Sequence, residues 1–462
     1  MTTPRRLSPG TLRLATAVLA LALAAVVPVP ALAGPAPAVT PTSPASLQIK
    51  AGDIALTIDP PEIQEFAARD KEGKLVEAPQ KPADKPIRLT PGYDTTRTHI
   101  LGNLYLTFQP ETLTVTSESG TPYVRGIDFE FKDDTGVITN KDGRMKGKVD
   151  AKAKGALQRL DLVQADATGK LSVKKGKSVV VCPELPAPDP GNTAVAGIYV
   201  APWRAAKNPF FAENPAGIAG ATEYAVTQHE ILPITAATPV PVADPDRLSP
   251  VLAKLRNGGT VKIALMGDSI MLGAESTRWW DDKYDEKSLT WKGRLIHALR
   301  QRFPKATIEV VEAYRGGVTV AYGLEKLPTV LAAKPDLVIM SFGVNDADPQ
   351  VGKRTPEEFG AAVAEIMTKA REINAALLYV TPFPLIPWVN NQQGPRMEAS
   401  FIPVMKQVSA ANGAALVDVN AEYKQMNAHG IPWWSQNHNW HNHPGDFGHK
   451  IYAEAVLRAF PQ

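Results

Sequence analysis

Four short motifs in the second half of the chain carry residues that could do chemistry together. In chain order they supply Ser269, a glycine pair at 316–317, Asn345 and His443. A serine hydroxyl becomes a strong nucleophile when a neighbouring imidazole accepts its proton. Attack on an ester carbonyl then places negative charge on oxygen, which backbone N–H groups and a side-chain amide can stabilise. The set therefore predicts a serine esterase that works without a cofactor.

The elements that must position these residues alternate between strands and helices. Apolar strand-like runs lie at 261–267, 306–313, 336–342, 376–381 and 415–419, and helical patterns lie at 291–303, 321–332, 356–373, 396–412 and 447–459. The segment 355–358, Thr-Pro-Glu-Glu, predicts a capping box at a helix start. This alternation requires a parallel sheet covered on both faces, with reactive groups at the carboxyl ends of its strands. Ser269, Asn345 and the loop 382–391 each follow a predicted strand.

The chain divides into segments of different composition. Residues 1–33 combine a basic start, an uncharged apolar stretch and the pattern Ala31-Leu32-Ala33, which predicts a signal peptide cleaved after Ala33 and a secreted or periplasmic protein. We expect a Pro- and Ala-rich spacer at 34–46, a β-rich accessory domain of the β-sandwich type at 47–235, a Pro-rich linker at 236–250 and the α/β domain at 251–462.

Charge and cysteine content exclude several classes of protein. The formal net charge is +3, and removal of 1–33 takes away three arginines and no acid, which leaves a formal charge of 0. A neutral protein has no basic bias that would suggest binding to nucleic acid or to an anionic membrane, so neither partner is expected. The apolar stretch 14–27 is too short to span a bilayer comfortably, so no stable membrane anchor is expected. The single cysteine, Cys182, cannot form an internal disulfide and is expected to be buried.

Residues from about 258 to 462 resemble the SGNH/GDSL hydrolase superfamily, whose four blocks centre on a serine, a glycine, an asparagine and a histidine. The resemblance implies a flavodoxin-like three-layer α/β fold and hydrolysis of carboxylic esters, often acetyl groups on sugars. By position it implies that Ser269 is the nucleophile and His443 the base. It also implies an oxyanion hole made by the backbone N–H groups of Ser269 and Gly317 and the side-chain amide of Asn345. The sequence does not separate Gly316 from Gly317 in this role.

One position departs from the family's pattern. The family usually has an aspartate three residues before the catalytic histidine, to hold the imidazole in the right tautomer, and that position here is Trp440. Asp446 is a candidate orienting acid, although its place at the start of the last predicted helix favours a capping role. Two alternatives stay open: an acid from elsewhere in the chain, or a Ser–His dyad whose ring is oriented by a carbonyl or an amide.

Tryptophans near the predicted active face indicate the substrate. Those assigned to substrate binding are Trp279, Trp280, Trp388, Trp434 and Trp440. A tryptophan ring offers a flat amphipathic surface with one polar N–H, which suits a sugar ring. No long apolar lid segment is present in the sequence, which favours a carbohydrate esterase over a lipase. The prediction is therefore an enzyme that removes acetyl groups from an acetylated polysaccharide, through an acyl-Ser269 intermediate.

The histidines near the C-terminal motif raise the alternative of a metal site. They are His438, His441, His443 and His449. Histidine is a common metal ligand, but the catalytic set accounts for His443, and no well-placed carboxylate or thiolate completes a site. No metal is therefore expected.

Three other functions are compatible with the sequence. A lipase or general short-chain esterase differs from an acetylesterase in the length of the acyl chain that it prefers. A catalytically weak glycan-binding protein is favoured by the tryptophan at 440 in place of the aspartate. An envelope O-acyltransferase would transfer the acyl group to an added sugar faster than to water.

Overall fold

A computed structural model shows how the chain folds. It describes residues 37–42, 46–70, 72–81, 84, 86–89, 108–132, 136–204, 224–386, 392–439 and 441–462. The predicted signal peptide, Trp388 and Trp440 lie outside these described residues. Within the described ranges, no helix is both long enough and apolar enough to cross a membrane.

The first half of the chain is built from antiparallel strands. They are β1 (Val39–Pro41), β2 (Gln48–Ala51), β3 (Ile54–Thr57), β4 (Ile63–Ala67), β5 (Val76–Glu77), β6 (Ile87–Arg88), β7 (Phe108–Ser117), β8 (Phe129–Lys132), β9 (Val137–Asn140), β10 (Lys148–Ala156), β11 (Arg159–Ala165), β12 (Leu171–Lys174), β13 (Thr193–Val200) and β14 (Ile231–Pro233). These strands form the sheets β1-β2-β3, β4-β10-β5 with β7 also on β10, β6-β9-β8, and β12-β11-β13-β14.

The antiparallel sheets share cores in pairs. The sheets that contain β10 and β9 enclose one apolar core, with Phe66, Phe108 and Phe131 among its side chains. The sheets that contain β2 and β13 enclose a second core, which includes Ile49 and Ile198. Alternating side chains supply these cores, as the buried, exposed, buried, exposed pattern of β8 illustrates. The prediction of a β-rich region before the α/β region is confirmed.

The second half of the chain contains a five-stranded parallel sheet in the order β16-β15-β17-β18-β19. Its strands are β15 (Thr260–Gly267), β16 (Thr307–Tyr314), β17 (Leu337–Ser341), β18 (Ala376–Val380) and β19 (Ala415–Val417). Every residue of the central strand β17 is buried, as both faces of this sheet are covered. This strand order is the flavodoxin-like one that the family resemblance implied.

Helices cover both faces of this sheet. They are α1 (Ser249–Arg256), α2 (Ser269–Leu272), α3 (Trp291–Arg302), α4 (Val320–Ala332), α5 (Val344–Ala347), α6 (Pro356–Glu372), α7 (Gln393–Arg396), α8 (Ile402–Ala411), α9 (Val419–Gln425) and α10 (Asp446–Leu457), with a π-helical turn at Met397–Phe401 and 3-10 turns at Gln228–Glu230, Pro245–Leu248, Trp279–Asp281, Met426–Ala428 and Trp433–Gln436. The capping box that starts α6 is present, with Thr355 and Glu358 bonded reciprocally. Helix α1 was not predicted, and it begins inside the Pro-rich segment expected to be a linker.

The two halves of the chain are joined by side chains and by backbone. An apolar group, which we call the interface cluster, contains Leu160, Val181, Tyr199, Ala201 and Trp203 from the first half and Ile386 and Trp434 from the second. The Thr235 N–H donates to the carbonyl oxygen of Ala428 at 2.9 Å. The strand β13 runs so close to the second half that a Cβ at Gly197 would lie 1.8 Å from the carbonyl oxygen of Gly430.

Candidate active site

Three neighbouring strands of the parallel sheet end at the same level and bring the first three motifs together. Gly267, the last residue of β15, is paired with Tyr314 of β16 and with Ser341 of β17. The chain leaves these three strand ends to enter the segments that hold Ser269, Gly317 and Asn345. Ligand sites of open parallel sheets lie at this edge, beside the strand where the order of connection reverses.

The nucleophile candidate is fixed at the start of a short helix. Ser269 is the first residue of α2 and is 7 % exposed. Asp268 precedes it and caps the helix, since its Oδ1 accepts the Ile270 N–H at 2.9 Å. The first N–H groups of a helix have no partner one turn back and carry partial positive charge. The Ser269 N–H is therefore suited to an oxyanion that forms beside its own side chain.

The two other candidate oxyanion donors are Gly317 and Asn345. Gly317 has φ +73°, in the left-handed region that favours glycine, which is a reason for a glycine at 317 that Gly316 does not share. A Cβ at Gly316 would lie 3.9 Å from the Cβ of Ser269, so the glycine pair lies next to this serine. One N–H of the Asn345 amide donates to the carbonyl oxygen of Val318 at 2.9 Å, and the amide carries a second N–H.

His443 meets the serine directly. Its Nε2 lies 2.7 Å from the Ser269 Oγ, although the two residues are far apart in the sequence. The loop that carries it is held by the His438 N–H, which donates to the His443 carbonyl oxygen at 2.9 Å. Burial, with a smaller effect from His449, His441 and His438, lowers the pKa of His443 to about 3. A neutral imidazole at pH 7 is the form that a general base requires.

Asp446 does not contact the ring of His443. Its carboxylate accepts the Thr277 N–H at 2.6 Å and the Thr277 hydroxyl at 2.7 Å. It is the first residue of α10, and Gly445 holds the N-cap position that the sequence assigned to Asp446. His449, one turn further on, contacts the carbonyl oxygen of Ala274 through Nε2 at 3.1 Å. Both side chains fasten α10 to the loop that follows α2.

A residue that the sequence analysis missed occupies the other nitrogen of the imidazole. The Asn439 side-chain Nδ2 lies 2.9 Å from Nδ1 of His443. Asn439 is four residues before the histidine, one position earlier than the aspartate of the family's pattern. A Ser–His dyad whose imidazole is oriented by an amide is one of the two alternatives that the sequence leaves open. The spacing of the motif did not identify Asn439 as the residue that supplies the amide.

The tryptophans separate into two groups. Trp434 is 6 % exposed and lies in the interface cluster, stacked on Trp203 with ring centroids 6.3 Å apart. Apolar packing between the two halves covers its ring, which leaves little of it for the substrate contact that the sequence predicted. Trp279 is half-buried and Trp280 is 48 % exposed, and the two rings meet edge to face with centroids 6.1 Å apart. Trp388 and Trp440 lie outside the described residues.

Another histidine of the C-terminal motif lies against a carboxylate. His438 Nδ1 lies 3.2 Å from Glu275 Oε2, in a pair that is almost fully buried. Within the ranges that the structure describes, no three His, Cys, Asp or Glu side chains are placed to share a metal ion.

Two buried carboxyl groups lie directly beside Ser269 and Asn345 in the chain. Burial raises the pKa of Asp268 to about 7, and the neighbouring Asp346 adds to the effect. Burial also raises the pKa of Asp346 to about 6, although its carboxylate accepts the Val320 N–H at 3.0 Å. Each carboxyl bonds a backbone N–H of the loops that form the site, so both support the loops from behind.

The chain is similar to one known protein family and to several solved structures. Residues 265–451 match the GDSL-like Lipase/Acylhydrolase family. No curated protein matches the chain. Similar solved structures include an α/β hydrolase from the metagenome of Lake Arreo, Spain, with 24% identity over 43% of this chain and 94% of that one and a TM-score of 0.37.

Two further solved structures are similar to the chain at the same level. One is an acetylxylan esterase from Geobacillus stearothermophilus, with 20% identity over 44% of this chain and 94% of that one and a TM-score of 0.37. The other is a two-domain esterase active on acetylated mannans, with 21% identity over 47% of this chain and 53% of that one and a TM-score of 0.38. The family match itself confirms what the four motifs indicated: residues 265–451 resemble the GDSL-like lipase/acylhydrolases.

Proposed function

We propose that the protein is a secreted serine esterase that removes acetyl groups from a polysaccharide, with Ser269 as nucleophile and His443 as general base. The observation that carries the proposal is the 2.7 Å separation of His443 Nε2 and Ser269 Oγ. That contact unites the first and last motifs at the edge of the sheet where the glycine pair and Asn345 also lie. We expect the nucleophile, the base and the oxyanion donors to act together on one ester carbonyl.

The proposed reaction has two halves. His443 accepts the hydroxyl proton as Ser269 Oγ attacks the acyl carbon, and the carbonyl oxygen becomes an anion. The N–H groups of Ser269 and Gly317 and the free N–H of the Asn345 amide stabilise that anion. The proton passes from His443 to the departing alcohol, which leaves an acyl-Ser269 ester. Water then attacks this ester with the same base and the same donors, and acetate is released.

The proposed substrate class depends on the aromatic pair after the nucleophile helix. Trp280 exposes 48 % of its surface, far more than a tryptophan that serves only the core. Its ring and that of Trp279 lie in the 3-10 turn Trp279–Asp281, in the same segment that Asp446 fastens to α10 through Thr277. A half-exposed tryptophan pair of this kind suits the flat face of a sugar ring.

The test is acetate release from acetylated xylan, mannan, pectin and peptidoglycan, measured beside p-nitrophenyl acetate and p-nitrophenyl octanoate. Ser269→Ala and His443→Ala are each expected to remove nearly all activity. Ser276→Ala is the matched control, because Ser276 is also buried after α2 but its hydroxyl donates to the Gly273 carbonyl oxygen. Release that persists in Ser269→Ala would refute the nucleophile. A preference for the octanoate would identify a lipase, and transfer to added sugar in excess of hydrolysis would identify an acyltransferase.

A further inference from the structure

We propose that Asn439 is a positioning residue that holds the resting imidazole of His443 with its proton on Nε2, the tautomer opposite to the one that a general base needs. The inference deepens the proposed function, because it concerns the same Ser269–His443 pair. It follows from the hydrogen bonds around one amide, and its first test does not depend on activity.

The orientation of the Asn439 amide is fixed by its oxygen. Oδ1 accepts three backbone N–H groups, from His441 at 3.0 Å, Asn442 at 2.9 Å and His443 at 3.1 Å. A backbone N–H can only donate, and the NH₂ end of an amide cannot accept. An exchange of the two ends of the amide would place NH₂ against three N–H groups. The oxygen must therefore face the backbone of the turn.

The nitrogen of the same amide consequently faces the imidazole. Nδ2 lies 2.9 Å from His443 Nδ1 and 3.2 Å from Asn442 Oδ1, so both of its N–H groups have acceptors. A neutral imidazole has one protonated and one bare nitrogen, and Nδ1 must be the bare one to accept from Nδ2. The proton then lies on Nε2, which donates to the Ser269 Oγ at 2.7 Å.

This arrangement has a cost for catalysis. A base that accepts the Ser269 proton must present a bare Nε2, and in that tautomer the Nδ1–H would point at the N–H of Asn439. Relief of that clash requires loss of the Asn439–His443 bond or a turn of the amide that breaks the three backbone bonds. In a serine protease, replacement of the triad aspartate by asparagine places the imidazole in the wrong tautomer and lowers turnover about 10⁴-fold. Here we infer that the same limitation is built into the chain.

The first experiment observes the proton directly in the wild-type protein. Uniform ¹⁵N labelling of histidine gives one-bond ¹⁵N–¹H couplings that identify the protonated ring nitrogen, and the signals missing from His443→Ala assign the residue. We expect the proton on Nε2 of His443 at neutral pH. A proton on Nδ1 would overturn the proposal without any enzymatic assay.

The second experiment converts the amide to a carboxylate. In Asn439→Asp one oxygen keeps the three backbone bonds and the other accepts from Nδ1–H, which leaves Nε2 bare. We expect kcat for p-nitrophenyl acetate to rise about tenfold or more, with about 10⁴-fold as the upper limit. The acid limb of the pH profile should also move to higher pH, because the new carboxylate raises the pKa of His443. The histidines at 438, 441 and 449, which lower that pKa, are unchanged.

A matched control separates this effect from added charge. Asn442→Asp places the same charge in the same turn but against Asn439 rather than against Nδ1 of His443, and it should give neither the gain in kcat nor the shift of the acid limb. A folded Asn439→Asp protein with turnover equal to or below the wild type refutes the proposal. Failure of the proposed function is a separate result, visible as Ser269-independent activity, and the NMR measurement decides the tautomer in either case.

Discussion

Replacement of Trp434 by alanine tests whether this tryptophan serves the fold rather than the substrate. A buried tryptophan removes about 150–250 Å² from water, and at about 25 cal/mol per Å² this corresponds to about 4–6 kcal/mol. Alanine retains a small part of that area, so the free energy of unfolding should fall by about 3–5 kcal/mol. The contact at stake is with Trp203 and with Tyr199, whose ring centroid is 4.6 Å from that of Trp434.

The assay combines guanidinium unfolding with kinetics on an acetylated polymer. Trp434→Ala should lower the unfolding midpoint and leave KM unchanged at a temperature where the variant is folded. Trp280→Ala is the matched control with the opposite expectation, because its ring is half exposed. It should raise KM for the polymer, leave p-nitrophenyl acetate hydrolysis unchanged and change stability little. A Trp434→Ala protein of unchanged stability with a raised KM would refute the placement of this ring in the interface cluster.

Three further outcomes follow from the site. Asn345→Ala should lower kcat about 10²–10³-fold with little change in KM, as measured in steady-state kinetics, because its contact with the oxyanion forms mainly in the transition state. Asp446→Ala should destabilise the protein by about 1–3 kcal/mol in thermal unfolding, through loss of both Thr277 bonds, whereas Asp446→Asn, which keeps an acceptor, should hydrolyse p-nitrophenyl acetate like the wild type. The pKa of Asp268 is raised from 3.8 to about 7 in the folded protein. The folded state therefore binds this proton more tightly than the unfolded state does. The contribution of the protonated carboxyl to the free energy of unfolding is complete below the unfolded pKa and is lost as pH rises towards 7. Asp268→Asn should therefore gain stability relative to the wild type between about pH 4 and 7, and a constant difference in urea unfolding across that range would contradict the buried carboxyl.

The parallel sheet was predictable because each of its buried strands is a continuous apolar run, which can be identified in the sequence without knowledge of the neighbouring strands. The predicted strand at 261–267 differs from the observed Thr260–Gly267 by one residue, and the predicted helix at 356–373 differs from Pro356–Glu372 by one. Helix α1 was missed because Pro250 and the Pro-rich segment before it indicate a linker. Proline is nevertheless tolerated in the first turn of a helix, which is where Pro250 lies. The short helix α9 was missed since it has too few turns to show a period.

The candidate site residues that come directly after a strand could be predicted from the sequence, whereas the contact that depends on the geometry of a turn could not. Ser269, Gly317 and Asn345 follow adjacent strands, so their proximity is a consequence of topology. The contact of Asn439 with His443 depends on a turn whose backbone N–H groups converge on one oxygen, and no residue spacing encodes that geometry. The burial of Trp434 depends on Trp203, a residue of the other half of the chain, so a local pattern could not distinguish it from the exposed Trp280.

The contact between Gly197 and Gly430 limits how this protein can be re-engineered. A chimera that replaced the first half with a different β-rich domain would need a strand with no side chain where β13 passes Gly430. It would also have to supply rings that cover Ile386 and Trp434, which would otherwise face water. The two halves are therefore not interchangeable parts. A truncation to the α/β half should be difficult to express in soluble form, and transplantation of this half to a new scaffold would have to carry the interface cluster with it.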